Sequence, residues 1–417
     1  MIKKIISHPL FSGSAIMIGG SMIVNAVSYL YHVIMGRLLG PASYGVLSSV
    51  FALLYIVSVV PTSTSVAITK FISSTKSETE LKDVYGVIKS FIFKVALVSC
   101  VGVLILSPFI QNFLHLNNIF LVILIVPVLY FSLITLVNQA TSQGKLKFVG
   151  VVGPNLTSAL VKLILGVLFV YLGFSVLGAL FALMLGAVIA YFYSTIFVKE
   201  YLNFKDKHKF KIEKFIKYAV PALLQALAFT SYFTIDIILV KHFLPEFDAG
   251  LYAALSTLGK IIYFAVTPIA ATMFPIVSSK HSKGEEYKKV FILALFATMA
   301  TSLAITAFYF LLPNIAIGVL YGAKYLVAKE SLVWMGLFMS VYTLCYYLMN
   351  FLLSIGKTFA AYWSLAVLVF QIVLILINHN TITSVIQMNL ISMILLFLGL
   401  SIFLSYNKLT VNGKSNK

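Results

Sequence analysis

Long apolar runs separated by short polar gaps organise this chain from end to end. They lie at roughly 10–36, 46–69, 87–108, 119–140, 151–172, 175–197, 216–240, 251–275, 290–312, 327–354, 361–378 and 384–406. About twelve of them are long enough to cross a ~30 Å hydrocarbon core as helices. The fold class predicted is an all-α polytopic membrane protein. No gap exceeds about twenty residues, which leaves no appended soluble domain and places function inside the bundle.

The gaps alternate in charge. Lys3 and Lys4, Lys70 to Lys89, Lys145 and Lys147, the lysines from Lys199 to Lys217, Lys280 to Lys289, Lys357, and Lys408 to Lys417 mark one side. The opposite gaps hold only Arg37, Lys241, Lys324 and Lys329. By the positive-inside rule both termini are cytoplasmic; the localisation expected is the cytoplasmic membrane. A composition of 61% apolar and 10% charged residues, with mean hydropathy +1.03, describes a chain whose preferred solvent is lipid. Its net charge of +18 therefore needs no nucleic-acid partner, since rim lysines face anionic lipid headgroups. Cys100 and Cys345 both fall in apolar runs, so neither a disulfide framework nor a cysteine metal site is expected, and no cofactor is. The first run is too long for a signal-peptide core and stays as an anchor. Residues Met1 to Phe11 have the make-up either of a short interfacial helix or of a frayed terminus.

The basic gap at 199–215 divides the chain into two six-helix lobes, 1–198 and 216–417. Two internal correspondences support the division. Arg37, Pro41 and Gly45 after the first run match Lys241, Pro245 and Gly250 after the seventh, at an offset of 204 or 205. Asn138 with Gly144 and Lys145 matches Asn350 with Gly356 and Lys357 at an offset of 212. Six spans per lobe give parallel repeats, an architecture of transporters.

Polar residues inside the spans form helical stripes. Ser14, Ser21, Asn25, Ser28, His32 and Gly36 share one face; Gln225, Phe229, Tyr232 and Asp236 form the counterpart in the seventh run. Span 5 carries Asn155, Ser158, Lys162 and Gly166, and span 8 carries Tyr252, Ser256, Lys260, Tyr263 and Thr267. Asp236 is the acid placed well within the hydrophobic zone, and Lys162 and Lys260 are the cations similarly placed. A charge at the bilayer centre costs at least ~2.5–3.5 kcal/mol, so such residues face protein or water and often mark substrate or ion pathways. Each has two readings, a functional cavity residue or a structural or snorkelling one. His32 is either a helix-contact histidine or a proton-sensitive one. Neutral Ser, Asn and Gln are ordinary interhelical glue. Pro127, Pro154, Pro221, Pro268 and Pro275 lie where they bend spans, whether to shape the bundle or to let it move.

Asn25 followed by Gly36-Arg37-Leu38-Leu39-Gly40-Pro41 and Tyr44-Gly45, the Asn138–Lys147 segment, Leu320-Tyr321-Gly322 with Tyr325 after Pro313, and Asn350–Lys357 together resemble the polysaccharide (O-antigen, Wzx-type, PST-family) flippases of the MOP exporter superfamily. That superfamily also contains lipid II flippases and MATE drug exporters. The resemblance covers essentially the whole chain, and its motifs mark helix ends rather than ligand contacts. It implies a MATE-like, V-shaped pair of six-helix lobes that moves a polyprenyl-(di)phosphate-linked oligosaccharide across the cytoplasmic membrane by alternating access. Lys162 and Lys260 would then meet the phosphate, and Asn25, Tyr232, Tyr252 and Tyr263 the sugars. His32, Asp236 and Arg37 are candidates for coupling-ion binding or gating. The implied partners are the polyprenyl-linked glycan, membrane lipids and glycan-assembly enzymes, with the protein monomeric. The lipid II reading is weakened because those flippases line their cavity with several arginines, whereas this chain has one, Arg37.

No P-loop sequence is present, so ATP hydrolysis by this chain is not expected. A MATE-like exporter of organic cations would want acids in its cavity, and one membrane aspartate beside two lysines favours anionic cargo. A membrane-embedded glycan polymerase or glycosyltransferase would want acidic or histidine-rich catalytic loops on the outer side, and here those loops are short, with Glu246, Asp248 and Glu330 as their acids. The expectation is a transporter and not an enzyme.

Overall fold

The computed structural model describes residues 9–202, 212–357 and 360–406. Within them every regular element is a helix, as a chain immersed in lipid requires when each backbone polar group must find its partner inside its own segment. The first helices are α1 (Pro9–Val57), α2 (Val59–Ser73), α3 (Glu78–Phe113), α4 (Phe120–Ile123), α5 (Ile125–Gly144), α6 (Val149–Phe169) and α7 (Ser175–Ile196). They are followed by α8 (Ile212–Ser231), α9 (Ile235–Phe243), α10 (Glu246–Ser282), α11 (Lys288–Leu311), α12 (Pro313–Leu320), α13 (Lys329–Ser354), α14 (Ala360–Ile377) and α15 (Ile382–Tyr406).

Ten helical stretches are long and apolar enough to cross a membrane. Two of these, Ile16–Val57 and Val149–Ile196, are each broken at a left-handed glycine, Gly40 (φ 74) and Gly173 (φ 93). Dividing them there recovers the twelve expected spans. Most of Met1 to Phe11, of the basic gap and of the C-terminal tail lies outside the described residues. The chain separates into two compact units, Met1–Leu227 and Ala228–Lys417, with the boundary inside α8.

In the first unit α3 starts on a reciprocal cap. Ser77 Oγ accepts from Glu80 N (3.2 Å), while Glu80 Oε2 accepts from Lys76 N (2.7 Å). The buried face of α3, with Leu81, Tyr85, Ile88 and Ile92, packs against Leu133 and Val137 of α5. Asn138 ties three helices at this level, accepting from Tyr85 Oη (2.9 Å) and donating to Ser194 Oγ (2.9 Å). Helices α6 and α7 pack along their length across the tight turn Val170–Phe174.

In the second unit α13 lies at the centre, packed against α10, α11 and α15. Hydroxyl pairs Ser302–Thr343 (3.1 Å) and Thr306–Ser340 (2.8 Å) join α11 to α13, the interhelical hydrogen bonding that lipid-embedded helices use. The seventh run, expected as one span over 216–240, is two helices, α8 and α9, interrupted at Tyr232 to Thr234. No proline or glycine marks the break, which tertiary hydrogen bonds hold open.

The repeat correspondences fare differently. The break after span 1 falls at Gly40-Pro41 and that after α9 at Leu244 (ψ 158) and Pro245 (ψ 151), in keeping with an offset of 204. The second correspondence needs correction. Both α5 and α13 end in a C-terminal cap in which a lysine amide reaches back five residues, Lys147 N to Ser142 O (2.8 Å) and Lys357 N to Leu352 O (2.9 Å). The left-handed residue is Leu146 (φ 59) in one and Gly356 (φ 78) in the other. The structural offset is therefore 210, not 212, and Asn350 is not the counterpart of Asn138: two residues turn a helix by about 200°. Accordingly, among the described residues, Asn350 donates to Tyr346 O of its own helix, at 2.8 Å.

Candidate functional site

Each unit holds one of the two membrane lysines, in different surroundings. In the first unit Lys162 on α6 is 8% exposed. Its ammonium lies over the ring faces of Tyr31 (4.7 Å) and Phe51 (5.6 Å), both from α1. A ring face supplies negative potential to a cation removed from water. Gly166, one turn beyond Lys162, makes this possible, because a Cβ there would stand 2.9 Å from Tyr31 Cε2. Tyr31 is anchored by donating its hydroxyl to Ala179 O of α7 (3.3 Å). No salt bridge to Lys162 occurs among the described residues.

His32 is beside this cluster, edge-on to Phe51 (4.9 Å) and Tyr31 (5.6 Å), with Tyr44 Oη 3.4 Å from its Nδ1. Asn25 and Arg37 are exposed on either side of it along α1.

In the second unit the break between α8 and α9 organises the polar groups. Its freed carbonyls are claimed by neighbouring helices: Phe229 O accepts from Tyr342 Oη (3.1 Å) and Tyr232 O from Gln371 Nε2 (3.0 Å). Asp236 stands in the first turn of α9, where the helix N-terminus favours negative charge. It is 1% exposed. Its Oδ1 accepts from Ile237 N (2.8 Å) and its Oδ2 from Tyr252 Oη (2.5 Å) and Asn389 Nδ2 (3.2 Å). Asn389 Nδ2 also donates to Tyr252 Oη (2.9 Å), and its Oδ1 accepts from Gln371 Nε2 (2.7 Å). The remaining amide oxygen of Gln371 is buried with no hydrogen-bond partner among the described residues. Tyr232, fully buried, donates to Ser364 O.

Lys260, two turns beyond Tyr252 on α10, is half-buried with its ammonium 5.1 Å above the Phe233 ring and within electrostatic reach of Asp236. Phe233 opens onto a cluster of rings: Tyr263 (5.7 Å) and Tyr342 (5.5 Å), with Tyr346 5.4 Å from Tyr263. Towards the end of α9, Lys241, 1% exposed, pairs with Glu246 across the turn to α10 at 3.0 Å.

Within the second unit the structure brings Asp236, Tyr252 and Tyr232 into one network with Gln371, and Lys260 with Tyr263 into one ring cluster. Within the first it brings Lys162 and His32 together, with Asn25 and Arg37 apart from them. The hydroxyls of Tyr232 and Tyr252 are engaged inside their unit, whereas Tyr263 is half-exposed. Gln225 lies outside the residues whose side chains are described. Gln371, Asn389, Tyr31, Phe51, Phe233, Tyr342 and Tyr346 also build these sites and are not among the candidates predicted from the sequence. A signal existed for two of them: Gln371 and Asn389 are amides within largely apolar runs. The rings had none, because aromatic residues are abundant in every span.

These features define a multi-pass, all-helical membrane protein with charged groups built into its spanning helices. The model of a family described as polysaccharide biosynthesis protein matches residues 34–330, and the chain belongs to that family. Its fold is that of the MOP superfamily transporters. A multidrug-resistance MATE transporter of that superfamily, inward-facing, superposes with TM-score 0.69 at 15% identity, over 93% of this chain and 99% of that one. The lipid II flippase MurJ in an inward closed conformation superposes with TM-score 0.71 at 15% identity, over 95% and 90%. A MOP superfamily transporter from Pyrococcus furiosus does so with TM-score 0.63 at 17% identity, over 95% and 96%. No curated relative matches the chain.

Proposed function

We propose that this protein is a flippase. It moves a polyprenyl-(di)phosphate-linked oligosaccharide across the cytoplasmic membrane by exposing its binding groups alternately to the two leaflets, for cell-surface polysaccharide synthesis. The observation that carries this reading is Lys162, a buried cation held by aromatic faces and a glycine notch, with no acid paired to it among the described residues. A lysine solvated only by rings keeps most of its positive potential for an incoming anion, and an anionic lipid-linked sugar suits a member of a polysaccharide biosynthesis family. Lys260 is the second phosphate ligand. Tyr263 and Asn25 retain the exposure needed to touch sugar; Tyr232 and Tyr252 serve through the network they close.

Asp236 is the coupling site. A carboxylate at a broken helix, with Tyr252 and Asn389 as donors and Gln371 joined to it through Asn389, suits uptake of a proton or small cation. The pairing of His32 with Tyr44 is the corresponding feature of the first unit. Both termini face the cytoplasm, the basic gap at 199–215 joins the lobes, and the protein works as a monomer alongside glycan-assembly enzymes and without catalytic chemistry of its own.

Complementation of a flippase-deficient strain tests this, scoring surface glycan and accumulation of lipid-linked precursor. Wild type should restore glycan, while Lys162→Ala, expressed at equal level, should accumulate precursor. Failure across several host glycans, with export of a cationic dye that depends on Asp236, would replace the flippase by a MATE-like exporter.

A further inference from the structure

The ring cluster beside Lys260 has a composition that phosphate binding does not need. Phe233, Tyr263 and Tyr346 are each half-buried, and behind them Tyr342 is fully buried with its hydroxyl given to Phe229 O. Tyr342 thus serves as a rigid backing, stacked on Tyr346 at 17° between planes. The ring centroids are 5.4–5.8 Å apart, from Phe233 to Tyr263 and Tyr342, and from Tyr263 to Tyr342 and Tyr346. Three structural segments contribute: the helix break, α10 and α13. Locked rings cost little side-chain entropy when a ligand stacks on them.

We propose that this platform is a subsite for the sugar joined directly to the carrier phosphate, with Tyr346 and Tyr263 stacking on its ring and Lys260 on the phosphate. The inference rests on the flippase reading and deepens it. The ligand class follows from the juxtaposition. Lys260 already occupies the face of Phe233, which disfavours an organic cation there by like-charge repulsion. The carboxylate of Asp236 is turned to Tyr252, Asn389 and the Ile237 amide. What fits is an anion bonded to a group with an apolar C–H face and hydroxyls, a hexosyl phosphate. Tyr263 is one turn from Lys260 on the same face of α10, so the stacked ring must be the one adjoining the anion.

The test uses the full-length protein in lipid nanodiscs, with hexose 1-phosphates (glucose, galactose and N-acetylglucosamine), the free hexoses and inorganic phosphate as probes, followed by saturation-transfer NMR. Wild type should transfer saturation to hexosyl ring protons and bind a hexose 1-phosphate more tightly than phosphate. Tyr346→Leu should lose that preference about tenfold with phosphate binding unchanged. Tyr346→Phe should retain it, and Lys260→Gln should weaken both ligands. Tyr263→Leu is the second platform variant, read in the same way if Tyr346→Leu does not assemble. An unchanged preference in the leucine variants overturns the subsite. If wild type then still restores surface glycan, the flippase reading survives; if it binds no anion and restores none, both fall.

Discussion

Lys162 and Asp236 bring opposite charges into apolar helices, and different local chemistry keeps each there. For Lys162 the neighbour that matters is a glycine. Leucine at Gly166 would occupy the space of the Tyr31 ring, so Gly166→Leu should abolish glycan restoration as fully as Lys162→Ala does, with both proteins present in the membrane at wild-type level on immunoblots. Asp236 depends on donors. Asn389→Leu removes one from its carboxylate and leaves Gln371 Nε2 with one acceptor fewer. Buried polar groups stripped of partners cost about 1–3 kcal/mol each, so the purified variant should melt several degrees below wild type in a thiol-dye or scattering assay. Both charged positions were legible in the sequence, since an ionisable residue inside an apolar run is conspicuous. Their partners were not, because Tyr31, Phe51 and Tyr346 differ from lipid-facing rings only in where they point.

At the scale of the helix, the paired caps after α5 and α13 do the same work with different residues. Leu146 takes left-handed φ 59 where Gly356 takes φ 78, and a Cβ in that region costs about 1–2 kcal/mol. Leu146 is exposed, so Leu146→Gly loses little packing and should raise thermal stability by up to about 1 kcal/mol, after the larger entropy glycine loses on folding. Gly356→Leu should lower it by a similar amount, and shifts of the same sign at the two sites would contradict their equivalence. Span lengths and the breaks near Gly40 and Pro245 were readable from apolar runs punctuated by proline and glycine. The interruption at Tyr232 to Thr234 was not, since Tyr342 and Gln371, more than a hundred residues away, provide the hydrogen bonds that compensate it.

For the molecule as a whole, the alternation of lysine across the gaps predicts a side for every loop. Cysteine placed at exposed Ser74, in a basic gap, and at exposed Asn117, in a gap without lysine, tests it in a Cys100→Ala, Cys345→Ala background. An impermeant maleimide should label the Asn117→Cys protein in intact cells and the Ser74→Cys protein only after lysis; the reverse pattern inverts the topology. Membrane residence, the succession of apolar spans and the positions of Lys162, Lys260 and Asp236 within them were determined by the sequence alone, because lipid penalises unsatisfied backbone and uncompensated charge in proportion to local composition. Tertiary structure alone decided which rings surround Lys162 and Lys260, which amides hold Asp236, and the register that relates Leu146 to Gly356. Those contacts join residues far apart in the chain, and no local preference specifies them until the helices pack.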